Sequence, residues 1–182
     1  MRIERIFLGM SMWIATATGT GCLEEAAGKY SLNPSVLYAI VKTESGLNPY
    51  ALEIIAPAVD KGINCPFKHS RGKVFYSCMP GSREEALKLM RYAQEKRYSY
   101  SAGLGQINSW WIRKLDLQPA FLLDPCYNLN VSAYILNLCW HRFGDSWKTV
   151  DCYNKGVGRA SEVSEYTIKI YGELSRWMVR GR

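Results

Sequence analysis

Apolar positions along this chain recur mostly with the period of a helix. Leu37, Ile40, Val41 and Glu44 fall at i, i+3, i+4 and i+7, so an acid continues an apolar stripe. Asn33 is placed to cap this segment, Pro34 suits its first helical position, and Asn48-Pro49 is expected to end it. Ahead of it Leu23 to Tyr30 reads as a short helix. Ser82-Arg83-Glu84-Glu85 is a capping box leading into Ala86, Leu89, Met90 and Ala93. Trp110 to Leu115 reads as another short helix. A long one starts at Asp124-Pro125, with Tyr127, Val131, Tyr134, Ile135 and Leu138 on one face and Gly144 as its stop. Ser146 caps a short helix. The last helix spaces Val163, Tyr166, Thr167, Ile170, Tyr171, Leu174, Trp177 and Met178 at 3.6.

Strand-like alternation is confined to Lys73 to Ser77, and there is no internal repeat. The expected fold class is therefore all-α, a multi-helix domain interrupted by a loop insertion over about 52–81. That loop carries Lys61, Lys68, His69, Arg71 and Lys73. A charge run of this kind is most often just a solvated face.

The chain has 182 residues, enough for one domain with a real core. Residues 1–17 read instead as a signal peptide: Arg2 and Arg5, an apolar run from Ile6 to Ile14, then Ala15-Thr16-Ala17 as cleavage site. Residues 18–182 form the expected domain, secreted and without a stable membrane span once the signal is cut. The chain carries a net charge of +7, and removing Arg2, Arg5 and Glu4 lowers it by only one. A basic secreted domain is drawn to anionic polymers or surfaces.

All six cysteines lie after the cleavage site, an even count that argues for disulfides in an oxidising compartment. Six cysteines allow fifteen connectivities. The pairing chosen is Cys22–Cys126, Cys65–Cys78 and Cys139–Cys152, the last two closing short loops. No C-x-x-C pair exists, and His69 and His141 stand alone, so neither metal nor other cofactor is expected.

Glu44 is badly placed for stability. An acid in the last turn opposes the helix dipole, and one withdrawn from water has a raised pKa, as a general acid near neutral pH requires. A slightly rolled helix would leave it an exposed end residue. Further on, Gly103-Leu104-Gly105-Gln106-Ile107-Asn108 brackets one leucine with two glycines, where backbone can approach a ligand and two amides can bind it.

Three segments in order, Thr43-Glu44-Ser45-Gly46, Gly103 to Asn108, and Cys152-Tyr153-Asn154-Lys155-Gly156, resemble the lysozyme-like lytic transglycosylases. The likeness runs from about Cys22 to Tyr171. Asn48-Pro49-Tyr50-Ala51, the Ser82 to Tyr98 helix, Asp124-Pro125-Cys126 and the Cys139/Cys152 pair are most similar to members encoded with type IV secretion and conjugation machines. The resemblance implies a periplasmic enzyme that cuts peptidoglycan between N-acetylmuramic acid (MurNAc) and N-acetylglucosamine (GlcNAc), leaving a 1,6-anhydro end. It implies Glu44 as the single catalytic acid, and components of a secretion or conjugation machine as partners. Ser45, Gln106, Asn108, Tyr153 and Asn154 would hold the carboxyl or the sugars, with Tyr166 a weaker addition. The alternatives are a lysozyme-type muramidase, a non-catalytic wall-binding module, and a basic protein bound to DNA or membrane. No nucleic-acid partner is expected, since no basic amphipathic helix is present.

Overall fold

The computed structural model of the protein describes residues 20–180. The signal segment expected over 1–17 lies outside them. Helix α1 (Thr20–Lys29) packs on α2 (Pro34–Ser45), which Asn33 caps by accepting from the Ser35 N–H at 2.9 Å. α2 stops on Gly46, in the left-handed region at φ 63°, and not at the later Asn48-Pro49.

The all-α expectation holds only in part, because a small antiparallel sheet joins the helices. The insertion is not a loop but most of a five-stranded antiparallel sheet in the order β2-β3-β1-β4-β5. Its strands are β1 (Leu52–Ala56), β2 (Phe67–Ser70), β3 (Lys73–Cys78), β4 (Ser99–Ala102) and β5 (Ile107–Asn108). β1 buries Leu52, Ile54 and Ala56, but Ile55 on its other face is also apolar, so the alternation is hidden in the sequence. β2 is an edge strand with almost every side chain exposed, and it exists by pairing with β3. An exposed edge strand held mainly by backbone pairing shows no alternation of buried and exposed side chains.

α3 (Arg83–Glu95) covers the buried face of the sheet. Its Ser82 cap accepts from the Glu85 N–H, while the Glu85 carboxylate reaches one residue further back, to the Gly81 N–H. α4 (Ser109–Lys114) and a 3-10 turn at Pro119–Leu123 lead to α5 (Pro125–Phe143). α6 (Trp147–Lys155), a 3-10 turn at Val157–Arg159 and α7 (Glu165–Arg180) complete the domain.

α5 divides the molecule. Val131 and Ile135 enter a core shared with the sheet and α3. Leu129, Ala133 and Leu136 enter a second core with α1, α2, α6 and α7. The one-faced stripe read from the sequence is therefore two faces, each buried against a different lobe. Disulfides join Cys22 to Cys126, Cys65 to Cys78 and Cys139 to Cys152. The first ties α1 to the start of α5, the second closes the β2–β3 hairpin, and the third joins α5 to α6.

Asn128, fully buried on α5, is the polar joint between the lobes. It accepts from the Gly105 N–H at 2.8 Å and donates to the Ala102 and Leu122 carbonyls, both at 2.9 Å. Gly103, at φ 78°, passes so close to this amide that any Cβ would strike it. Asn128→Ala strands three buried backbone groups, a loss of about 3 kcal/mol. For a chain of this size that lowers Tm by about 6–12 °C in a calorimetric scan.

Candidate active site

A cleft of about 780 Å³ lies between the two lobes. Glu44 enters from the end of α2, and Tyr153 and Asn154 from α6. Ser77, Glu53 and Ser101 come from β3, β1 and β4, and Gln106 and Asn108 from the glycine segment. Trp110, Trp111 and Lys114 of α4 border the same space, with the Lys114 ammonium 4.6 Å and 4.9 Å from the two indole centres. Trp110 is half exposed, whereas Trp111 also packs on the sheet core. An exposed indole face beside polar groups is suited to the apolar face of a sugar ring.

Glu44 is half-buried, and the Tyr166 hydroxyl of α7 donates to its Oε1 at 2.7 Å. Burial raises its pKa from an ordinary 4.5 to about 7. The Tyr166 and Asn154 hydrogen bonds and the Lys169 charge oppose that rise, and the Glu53 charge adds to it. Burial and the charge of Glu44 push the phenols of Tyr153 and Tyr166 upward, so both remain hydrogen-bond donors. Glu44 therefore holds its proton to neutral pH, while Tyr166 and Asn154 are placed to stabilise it once the proton leaves.

The other motif residues mostly build the cleft. Gln106, at φ 48°, spends both amide hydrogens on the Ala51 and Gly103 carbonyls, each at 2.9 Å, which leaves its oxygen for a ligand. The Asn108 oxygen caps α4 through the Trp110 N–H at 2.9 Å, and its amide donates to Ser101 Oγ at 3.3 Å. Tyr153 donates to the Gly105 carbonyl at 2.7 Å. The two glycines thus let backbone approach α5 and Tyr153 rather than a ligand: a Cβ on Gly105 would strike Ser132 and the Tyr153 phenol. Ser45 is only 2% exposed, and its hydroxyl donates to the Val41 carbonyl at 3.0 Å. The structure does not bring it to the ligand space. Tyr166, the weakest of the sequence candidates, touches the acid, as does Asn154.

Two residues escaped the sequence reading. Asn128 carried no signal. Glu53 did carry one, as the lone acid in the apolar run Ala51-Leu52-Glu53-Ile54-Ile55-Ala56. Burial pushes its own carboxyl up, and Lys68 pulls it back.

The family model for the transglycosylase SLT domain matches residues 21–170. The type IV secretion system protein VirB1 of Brucella abortus is 28% identical over 109 residues, 60% of this chain and 39% of that protein. The X polypeptide of Escherichia coli is 30% identical over 81 residues, 42% of this chain and 48% of the relative. Invasion protein IagB of Salmonella typhimurium is 32% identical over 95 residues, 49% and 59% respectively. The matched part thus spans about two fifths to three fifths of these relatives.

Two tests follow from the electrostatics. Tyr166→Phe removes a donor to the carboxylate and should raise the Glu44 pKa above about 7, whereas Glu53→Gln removes a like charge and should lower it. Carbon NMR titration of the glutamate carboxyls reads both directions. The second concerns stability. The folded-state pKa lies above the unfolded 4.5, so the favourable contribution of Glu44 is complete below that pH and is lost as pH rises through about 7. Glu44→Gln should therefore be more stable than wild type above neutrality, on the order of 2 kcal/mol, with no advantage at low pH. Urea unfolding at both pH values checks it.

Proposed function

The chain belongs to the transglycosylase SLT domain family, and on that premise we propose that it is a peptidoglycan lytic transglycosylase, cutting between MurNAc and GlcNAc. The observation that carries the reading is Glu44, an acid that keeps its proton to about pH 7 inside a cleft of saccharide size. Glu44 gives that proton to the glycosidic oxygen as the bond to the MurNAc anomeric carbon breaks, and GlcNAc departs with a free 4-hydroxyl. The MurNAc N-acetyl oxygen supports the electron-poor centre. Substrate assistance of this kind removes the need for a second catalytic carboxylate.

Glu44 is then an anion held by Tyr166 and Asn154. It takes the proton of the sugar's own 6-hydroxyl as that oxygen closes on the anomeric carbon, giving the 1,6-anhydro ring and restoring the acid. Gln106 and Asn108 retain a carbonyl oxygen and an amide hydrogen for the sugars, and Trp110 offers a stacking surface. Three disulfides suit an oxidising compartment. The name of the type IV secretion system relative supports service to a secretion apparatus, and opening the wall for it in the periplasm is part of the same proposal.

One observation favours a second reading. Glu53 lines the same cleft as Glu44, an arrangement that also suits lysozyme-type hydrolysis with water as the acceptor. Mass analysis of digested peptidoglycan separates the two. Anhydromuramic ends are expected, and reducing MurNAc ends would replace the proposal by the hydrolase. In the same assay Glu44→Gln should lower the rate about 10²–10⁴-fold. Undiminished lysis by that variant would remove Glu44 from the chemistry.

A further inference from the structure

The hairpin that extends from the cleft wall carries cations that the acid–base chemistry does not use. Strand register places Ser77, Glu53, Ser101 and Asn108 in one row across the sheet, on the face turned into the cleft. The same register carries that face outward along the hairpin. Lys68 stands opposite Phe75, and Ser70 opposite Lys73, alternating with the buried Val74 and Tyr76. Lys73 lies four residues beyond Ser77, about 14 Å along the strand. Arg71 sits between them in the turn, at φ 51°.

Lys68, Arg71 and Lys73 are all exposed, and among the described residues none is in an ion pair. Residues 61–83 contain no Asp or Glu, and the carboxylate whose charge Lys68 favours is Glu53 of the cleft wall. The Cys65–Cys78 disulfide ties the start of the hairpin to its end, beside Ser77 and Met79 of the cleft wall. The cations thus ride on a stapled arm that continues the floor of the cleft. A merely solvated charge run needs neither the shared face nor the fixed position.

A glycan strand lying in the cleft has peptide stems branching from its muramic acids, and these end in carboxylates. We propose that Lys68, Arg71 and Lys73 form a ledge that binds the stem-peptide carboxylates of the strand held in the cleft. This rests on the peptidoglycan reading above. Cations on a rigid arm lose little freedom on pairing, so modest exposed contacts add to affinity.

The test is co-sedimentation of the full chain, made inactive by Glu44→Gln so that the substrate survives, with two forms of cell-wall sacculi. One form is intact, and in the other the stem carboxylates have been converted to amides, which leaves the cross-linked network insoluble. Intact sacculi should bind about tenfold more tightly, and Lys68→Ala/Arg71→Ala/Lys73→Ala should erase that preference. Lys68→Arg/Lys73→Arg keeps the charge and should keep the preference, which separates binding from misfolding. Equal binding of the parent chain to both forms overturns the ledge alone, as does a preference that survives the triple alanine variant. Failure to bind either form overturns the peptidoglycan reading with it. Tighter binding to duplex DNA or phosphatidylglycerol vesicles than to intact sacculi assigns the cations to another class of partner and overturns the ledge.

Discussion

A carboxyl group withdrawn from water at the end of α2 is the constraint around which the site is arranged. Burial alone drives Glu44 towards its neutral form, and a neutral acid with no donor beside it could give a proton once but not readily hold the resulting charge. Tyr166 supplies that donor from a residue 122 positions later in the chain, at 2.7 Å. The bond has meaning only if α7 is held against α2, and both helices bury their stripes in the same core. Chemistry at the cleft is therefore underwritten by packing in the helical lobe.

The opposite wall depends on a different device. Gln106, Asn108 and Tyr153 mostly direct their hydrogen bonds inward, onto the backbone of Ala51, Gly103, Trp110 and Gly105. Asn128 completes this lattice from α5. Polar groups in a buried seam are costly unless fully paired, and fully paired they fix one geometry. The motif residues thus act chiefly as the frame that sets the distance between the sheet and the helical lobe. A smaller part of their hydrogen-bonding capacity is left facing the ligand.

Most helices were legible because their signals are local: the Asn33 cap, the Ser82 box, the Asp124-Pro125 start, and stripes of period 3.6. The sheet was not, since β2 is exposed, β5 has two residues, and Ile55 masks the alternation of β1. Strands without a one-sided pattern of burial leave little imprint on a window of neighbours, and β1 also pairs with β4, tens of residues away. At the site, Glu44 stood out because it interrupts an apolar stripe. Tyr166 looked like one more aromatic on a buried face, and its partner is remote. Ser45 shows the converse: its place beside the acid in sequence suggested a role at the ligand, yet its hydroxyl turns back to the Val41 carbonyl.

The insertion shows the same dependence on restraint. Its edge strand has few buried side chains of its own, so a hairpin there would fray without further restraint. Cys65–Cys78 supplies that restraint, and the Asp60 carboxylate, accepting from Tyr92, Tyr98 and the Gly62 N–H, anchors the approach to it. Two separate devices thus fix a segment that contributes only part of the hydrophobic core. Restraint of that kind is most readily understood where position matters: β1 delivers Glu53 into the cleft, β3 delivers Ser77, and the arm beyond them holds its cations in register with both. A loop of equal length would carry the same residues without fixing where any of them stands.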